Sequence, residues 1–273
     1  MNLYDRIFKP KAFTLASGKV VYEKRSRTPL ILLVLFICLG VALQVSEFSG
    51  KILVKNGHQL LFILRDLFKP DWAYLPKIIG PIIDTIKMSF FGSFMGAFFA
   101  LPIAFLAAQN MVKSPLINWL IKFIFSLIRT LPTLVTALVG TYIFGLGTLA
   151  GTFAIFLFSF SYVGKIMYEE IETVDMGAYE AMISLGYTRG MAFLKGVIPA
   201  ILASYISTSL FNFEGNVRYA SILGYVGAGG LGLVINENIA WRDYNRVGTL
   251  LFALIITVFF IEMVSRTIRK KLA

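Results

Sequence analysis

The sequence predicts an all-α integral membrane fold with about six transmembrane helices. Three observations carry that expectation. The chain of 273 residues is 57% hydrophobic and only 15% charged, with a mean hydropathy of +0.75, far from the makeup of a water-soluble domain. The apolar residues gather in runs long enough to cross a bilayer. The 26 Lys and Arg against 15 Asp and Glu, a formal charge of +11, fall largely between and beside those runs, where they set topology and meet lipid headgroups. Such a charge also suits nucleic acid, but no basic motif with interleaved aromatics is present, so membrane lipid is the expected partner and no nucleic acid is.

Residues 1–28 carry Arg6, Lys9, Lys11, Lys19, Lys24, Arg25 and Arg27 against Asp5 and Glu23, which reads as a cytosolic N-terminal segment by the positive-inside rule. Pro29 to Val45 is a first span. It lacks a small-residue cleavage site and its charged lead is too long for a signal peptide, so it is expected to be retained. Cys38, the single cysteine, is expected to be a buried small hydrophobe. Ser46 to Pro81 reads as an outer loop in which Phe62, Leu67, Phe68, Trp72 and Tyr74 suggest amphipathic pieces at the membrane interface, with His58 as a solvated side chain. Asp84 to Ala108 is a second span, where Gly92 and Gly96 form a small-xxx-small pair that lets another helix approach.

After a short turn at 109–114, Pro115 to Phe144 is too long for one crossing of about twenty residues. The break is expected at Arg129-Thr-Leu-Pro132, because proline removes a backbone donor and clashes with the preceding turn. An arginine near mid-span costs about 2.5–3.5 kcal/mol on insertion scales unless it faces protein or water. Arg129 therefore caps carbonyls of the broken helix, pairs with a carboxylate elsewhere in the bundle, or contacts an anion. Thr148 to Lys165 is a further span.

Gly164 to Pro199 is the one long polar interval in the apolar second half. Its acidic front, Glu169, Glu170, Glu172 and Asp175, precedes a helical pattern of Ala178, Ala181, Met182 and Leu185. Gly186 stands where a helix needs a left-handed cap, and Thr188 can cap a second short helix running up to Pro199. A small Ala181 and a bare Gly186 permit close approach of another protein, and Glu180 near a helix start can meet a basic partner. An ordinary surface linker is the plainer reading of the same pattern.

Ile198 to Phe213 opens the next span, which turns polar at Asn212, Glu214, Asn216 and Arg218. Glu214 and Arg218 share a helical face, where pairing lowers each other's insertion cost. The glycine-dense run Gly224 to Gly232 exposes amides, those of Gly227, Gly229 and Gly230 among them. They either hold an anion at the start of the following helix or serve a tight re-entrant turn. Val247 to Val264 makes the last span, and Arg266, Arg269, Lys270 and Lys271 place the C-terminus in the cytosol. The outer segments also hold Lys51, Lys55, Arg65, Lys69 and Lys77, so charge bias alone does not set the orientation.

Glu180, Ala181, Gly186 and Pro199 stand at the offsets of the E-A-A signature of ABC importer permeases, with Met182 for the second Ala, Gly196 for an Ile and Ile198 for a Leu. Phe213-Glu-Gly-Asn-Val-Arg218, Val226-Gly-Ala-Gly-Gly-Leu-Gly232, Arg129-Thr-Leu-Pro132 and the start of the polar interval resemble permeases of the phosphonate importer family (PhnE-type). The resemblance covers Arg129 to Asn245. It implies an ABC importer permease (MetI-like) core at 84–273 with a cytosolic coupling loop at 164–199, preceded by the segment 1–28 and an extra N-terminal helix with its outer loop at 29–83.

The same resemblance implies import of phosphonate or a related phosphorus oxyanion, phosphite or phosphate, with no cofactor on this chain. The partners it implies are two ATP-binding ABC subunits, an outer substrate-binding protein and a second copy of the permease, in a bacterial plasma membrane with both termini cytosolic. Tyr179, Glu180, Ala181, Leu185 and Gly186 are then the residues expected to couple to the ATPase. Arg129, Asn212, Arg218, Gly227, Gly229 and Gly230 are those expected along the anion path. The chain has no G-x-x-x-x-G-K-[ST] loop, which leaves ATP to another subunit. A permease of the same superfamily for an amino acid or osmolyte is the near alternative. A membrane enzyme is disfavoured because no His/Cys cluster, H-E-x-x-H or G-x-S-x-G is present. A purely structural subunit would keep transport intact when the coupling helix is damaged.

Overall fold

The computed structural model describes residues 12–14, 18–22, 28–46 and 50–272. Arg6, Lys9, Lys11, Lys24, Arg25 and Arg27 of the basic N-terminal segment lie outside the described residues. The chain divides into two units, Met1–Leu61 and Phe62–Ala273.

In the first unit, β1 (Ala12–Thr14) pairs antiparallel with β2 (Val20–Tyr22), Ala12 opposite Tyr22. Nothing in the charge pattern of this segment predicts that ribbon. Helix α1 (Thr28–Val45) follows, and none of its residues is buried, Cys38 included. The expected burial of Cys38 is thus corrected: a helix apolar on every side suits a membrane span, where lipid covers it as well as protein does. Helix α2 (Gly50–Leu67) straddles the boundary between the units, and amphipathic character was expected there.

The second unit is a helical bundle. A short 3-10 turn, Trp72–Tyr74, is capped by Asp71, whose Oδ1 accepts from Ala73 N–H at 3.2 Å. It leads into α3 (Leu75–Ala107), which starts well before the expected Asp84. Pro76 lies in its first turn, where a missing N–H is no loss. Helices α4 (Pro115–Thr130) and α5 (Thr133–Phe144) meet at 91°, with Leu131 and Pro132 at the corner, where the break was expected.

Helix α6 (Thr148–Thr173) runs beyond Lys165, so the acidic front of the polar interval is the end of a helix and not a loop. Carboxylates there oppose the helix dipole, and each of three has a partner that offsets this. Glu169 meets Lys165 at 3.3 Å, Glu170 accepts from Ser204 Oγ at 2.8 Å, and Glu172 meets Lys122 at 2.7 Å.

Two short helices follow, α7 (Gly177–Ser184) and α8 (Arg189–Ala192). The chain then passes through a π turn, Phe193–Val197, into α9 (Ile198–Leu223). Pro199, expected to end the second short helix, instead lies in the first turn of α9. Ile198 N–H reaches back to Phe193 O, and this widened turn carries the chain past a residue with no N–H to give. Helices α10 (Gly230–Ala240) and α11 (Tyr244–Leu272) complete the bundle. Among the described residues, five stretches, carried by α1, α3, α6, α9 and α11, are long and apolar enough to cross a membrane, and the bent pair α4–α5 makes a sixth.

Helix α3 lies along α6 with the Gly92 and Gly96 pair at the contact. A Cβ on Gly92 would come within 2.7 Å of Ile155 Cγ2, and one on Gly96 within 2.8 Å of Phe156 O. Only a residue without a side chain lets the two backbones approach this closely. Farther along, Ala100, Ala104, Met167, Ile171, Tyr179, Phe193, Val197 and Ile201 form one apolar cluster. That cluster fastens α7 to α3, α6 and the start of α9, so displacement of α7 is passed to three long helices together.

Candidate functional site

Helix α7 closes in a Schellman motif. Gly186 has φ +85°, its N–H donates to Ile183 O at 2.9 Å, and that of Tyr187 donates to Met182 O at 3.2 Å. Thr188 Oγ1 accepts from Met191 N–H at 3.4 Å and caps α8. Both caps stand where the sequence predicts them. Glu180, Ala181, Leu185 and Gly186 are all exposed, and Leu185 reaches 73%. An exposed Leu beside a glycine whose missing side chain would meet no atom within 4 Å makes a small, open apolar tip. Tyr179 differs from these four: it is buried. A Cβ at position 196 would lie 3.0 Å from Tyr179 Cα, so Gly196, a departure from the E-A-A pattern, lets α7 settle against the bundle. Tyr179 holds the helix in place and presents little surface of its own.

Near the middle of α6 and α9 a polar network is buried. Asn212 Nδ2 donates to Ser159 Oγ at 2.8 Å, and Asn216 Nδ2 donates to Ser159 Oγ at 2.9 Å and Ser93 Oγ at 2.8 Å. Beside it lies a cavity of about 430 Å³ lined by Phe158, Tyr162, Phe211, Asn212, Gly215, Asn216, Arg218, Tyr219 and Ile222. Asn212 Oδ1 is buried and has no partner among the described residues. An orphan acceptor of this kind costs about 1–3 kcal/mol.

Glu214 adjoins this cavity along α9. Its side chain is 6% exposed and lies between Arg218 Nη2 at 2.9 Å and Arg269 Nη2 at 3.3 Å. A carboxylate buried to that degree costs several kcal/mol unless it is paired. Two guanidiniums on one carboxylate leave a net charge of about +1 at the cavity edge. The Glu214–Arg218 pair is the one expected from spacing. Arg269 is missed by sequence reasoning, because within a basic C-terminal cluster it reads as a topology signal. Ser93 and Ser159 are missed as well, since a lone serine in an apolar run carries no periodic signal. The four-residue step from Asn212 to Asn216, read together with Arg218, is the pattern that points to this place.

The remaining candidates lie elsewhere. Arg129 stands in a separate cleft between α4 and α6. Gly227, Gly229 and Gly230, with φ of +76°, +75° and +69°, form a turn seated on the start of α6 and on α3. Gly227 N–H donates to Gly224 O at 3.0 Å, Gly227 O accepts from Gly147 N–H at 2.9 Å, and Thr85 Oγ1 accepts from Leu231 N–H at 2.7 Å. Among the described residues no three His, Cys, Asp or Glu side chains gather so as to hold a metal ion.

A bundle of membrane-length helices with a buried polar network, a cavity between two of its helices and a capped helix with an apolar tip is the architecture of an integral membrane component. Residues 100–272 match the binding-protein-dependent transport system inner membrane component family, and the chain belongs to that family. It is 30% identical over 238 residues to the phosphite transport system permease protein PtxC of Stutzerimonas stutzeri, with 86% of each chain covered. It is also 30% identical over 224 residues to the phosphate-import permease protein PhnE of Mycolicibacterium smegmatis, covering 82% of this chain and 42% of the relative. In fold it is similar to the inward-facing MetNI methionine ABC transporter, with a TM-score of 0.65 and 20% identity over 74% of this chain and 99% of that one. The expected all-α fold with an ABC importer permease (MetI-like) core is therefore the observed one. Membership in the family makes the chain an inner-membrane subunit that works with ATPase and substrate-binding partners.

Proposed function

We propose that the chain is the permease of an importer for phosphorus oxyanions (phosphonate, phosphite or phosphate), and that the cavity between α6 and α9 is where the anion crosses. The carrying observation is that a net-positive Glu214–Arg218–Arg269 group stands beside a cavity whose lining includes Arg218 together with Asn212 and Asn216. An oxyanion suits this place: its charged oxygens accept from the Arg218 guanidinium. The four aromatic residues of the lining, Phe158, Tyr162, Phe211 and Tyr219, also suit a quaternary ammonium osmolyte, but the adjacent positive charge opposes a cation. The phosphite and phosphate permeases similar to this chain support the same choice.

In this reading two copies of the permease face two ATPase subunits in the cytosol and a binding protein outside. Both termini and residues 164–199 are cytosolic, and the importer core begins with α3, after an extra N-terminal helix. Glu180, Ala181, Leu185 and Gly186 meet the ATPase. Closure of the ATPases on ATP displaces α7, the apolar cluster moves α3, α6 and α9 with it, and the cavity opens outward; hydrolysis restores the inward state. Arg218 can turn from Glu214 to the anion because Arg269 still balances the carboxylate. Arg218→Ala is expected to lower phosphite uptake by the reconstituted complex roughly ten- to hundredfold, the scale of one lost charged contact, while Arg218→Lys keeps part of it. Unchanged uptake by Arg218→Ala removes the cavity from the path.

A further inference from the structure

We propose that the cleft between α4 and α6 binds a phosphate-type oxyanion, at a site separate from the cavity between α6 and α9. Lys122, Ser126, Arg129 and Thr130 fall at helical steps on one side of α4, and Lys165 and Tyr168 face them from α6. Together they line about 330 Å³, with Phe125 completing the wall. The helices are held at this spacing by contact: a Cβ on Gly164 would lie 2.4 Å from Phe125 Cζ, and Phe125 is 1% exposed. The cleft is therefore preformed.

Its charge is unbalanced. Lys122 is held by Glu172 at 2.7 Å and lies 4.8 Å from the Tyr168 ring, and Lys165 is held by Glu169 at 3.3 Å. Arg129 has no carboxylate partner among the described residues, and no acidic side chain lines the cleft. Arg129 is exposed along the cleft, so its guanidinium is open to a guest. Its planar fork fits two oxygens of a tetrahedral anion at once. Thr130 donates its hydroxyl to Leu127 O at 2.7 Å, which leaves the Ser126 and Tyr168 hydroxyls to donate to a guest. The guest is defined by its chemistry, a phosphoryl oxyanion, and it has two sources. One is a free anion on its way through the protein. The other is the headgroup of an anionic phospholipid whose chains run along the exposed Leu120, Phe123 and Leu127 of α4.

The test uses the full chain with Arg218→Gln, so that the cavity between α6 and α9 contributes nothing, in bilayer discs. In one arm, discs of phosphatidylcholine are titrated with inorganic phosphate and phosphite. In the other, discs containing phosphatidylglycerol are assayed for retained lipid by mass spectrometry. Binding is expected in at least one arm, weakened about tenfold or more by Arg129→Ala, by the milder Arg129→Gln and by Lys165→Gln on the other wall. The arm in which this happens names the source, and an unchanged unfolding temperature shows that each variant is folded. No binding in either arm, or variants that bind as the parent does, overturns the site. The phosphite uptake assay of Arg218→Ala decides the transport reading independently.

Discussion

Gly232→Ala is expected to remove folded protein from the membrane altogether. A Cβ at position 232 would lie 2.2 Å from Ser221 O, and one at Gly224 would lie 2.0 Å from Gly232 C. These obstacles are backbone atoms of α9 and α10, which pass each other with no side chain between them, so no rotamer change relieves the clash. Overpacking an ordinary core costs about 1–3 kcal/mol. Separating two backbones belongs with the exceptional class above about 4–5 kcal/mol, a large share of the stability of a typical domain. The yield of monodisperse protein after detergent extraction measures this. Gly80→Ala, where the new methyl meets nothing within 4 Å, is the matched control and is expected to extract normally. A normal yield of Gly232→Ala contradicts the close crossing of α9 and α10.

Gly186→Leu is expected to leave the chain inserted and folded while reducing substrate-stimulated ATP hydrolysis by the assembled complex to its basal rate. The left-handed φ of +85° costs a side-chain-bearing residue about 1–2 kcal/mol, a local strain at an exposed turn. No atom of this chain lies where the new side chain starts, so the bulk meets a partner and not the bundle. Gly186→Asn separates the two effects, since asparagine tolerates the left-handed turn and adds little volume; it is expected to retain part of the stimulation. Full stimulation in Gly186→Leu excludes this turn from the docking surface.

The features legible in the sequence are those governed by local chemistry. The corner at Pro132, the left-handed cap at Gly186, the Thr188 cap, the Gly92 and Gly96 approach and the Glu214–Arg218 pair each follow from one residue type or a short step along a helix. What the sequence conceals depends on residues distant in the chain. The end of α6 reads as a loop because Glu169, Glu170 and Glu172 look solvated, whereas partners as remote as Lys122 and Ser204 keep them helical. Pro199 reads as a terminator until the π turn before it is seen. Arg269 becomes part of the polar site only because α11 lies against α9. Lys122 and Lys165 carry no signal of their own in the sequence; α4 and α6 bring them together around Arg129. Cys38 differs for the opposite reason: apolar surroundings in the sequence imply burial in protein, but the helix that carries it has only exposed faces.

The coupling role of α7 is tested most directly by labelling its tip. Leu185→Cys, in a chain whose single cysteine is removed by Cys38→Ser, is treated with a membrane-impermeant maleimide in intact cells and in inverted vesicles, with and without the ATPase subunits. The account predicts labelling only in inverted vesicles, and protection once the ATPase subunits are bound. Labelling from outside the cell, or labelling in vesicles that the subunits leave unchanged, contradicts it.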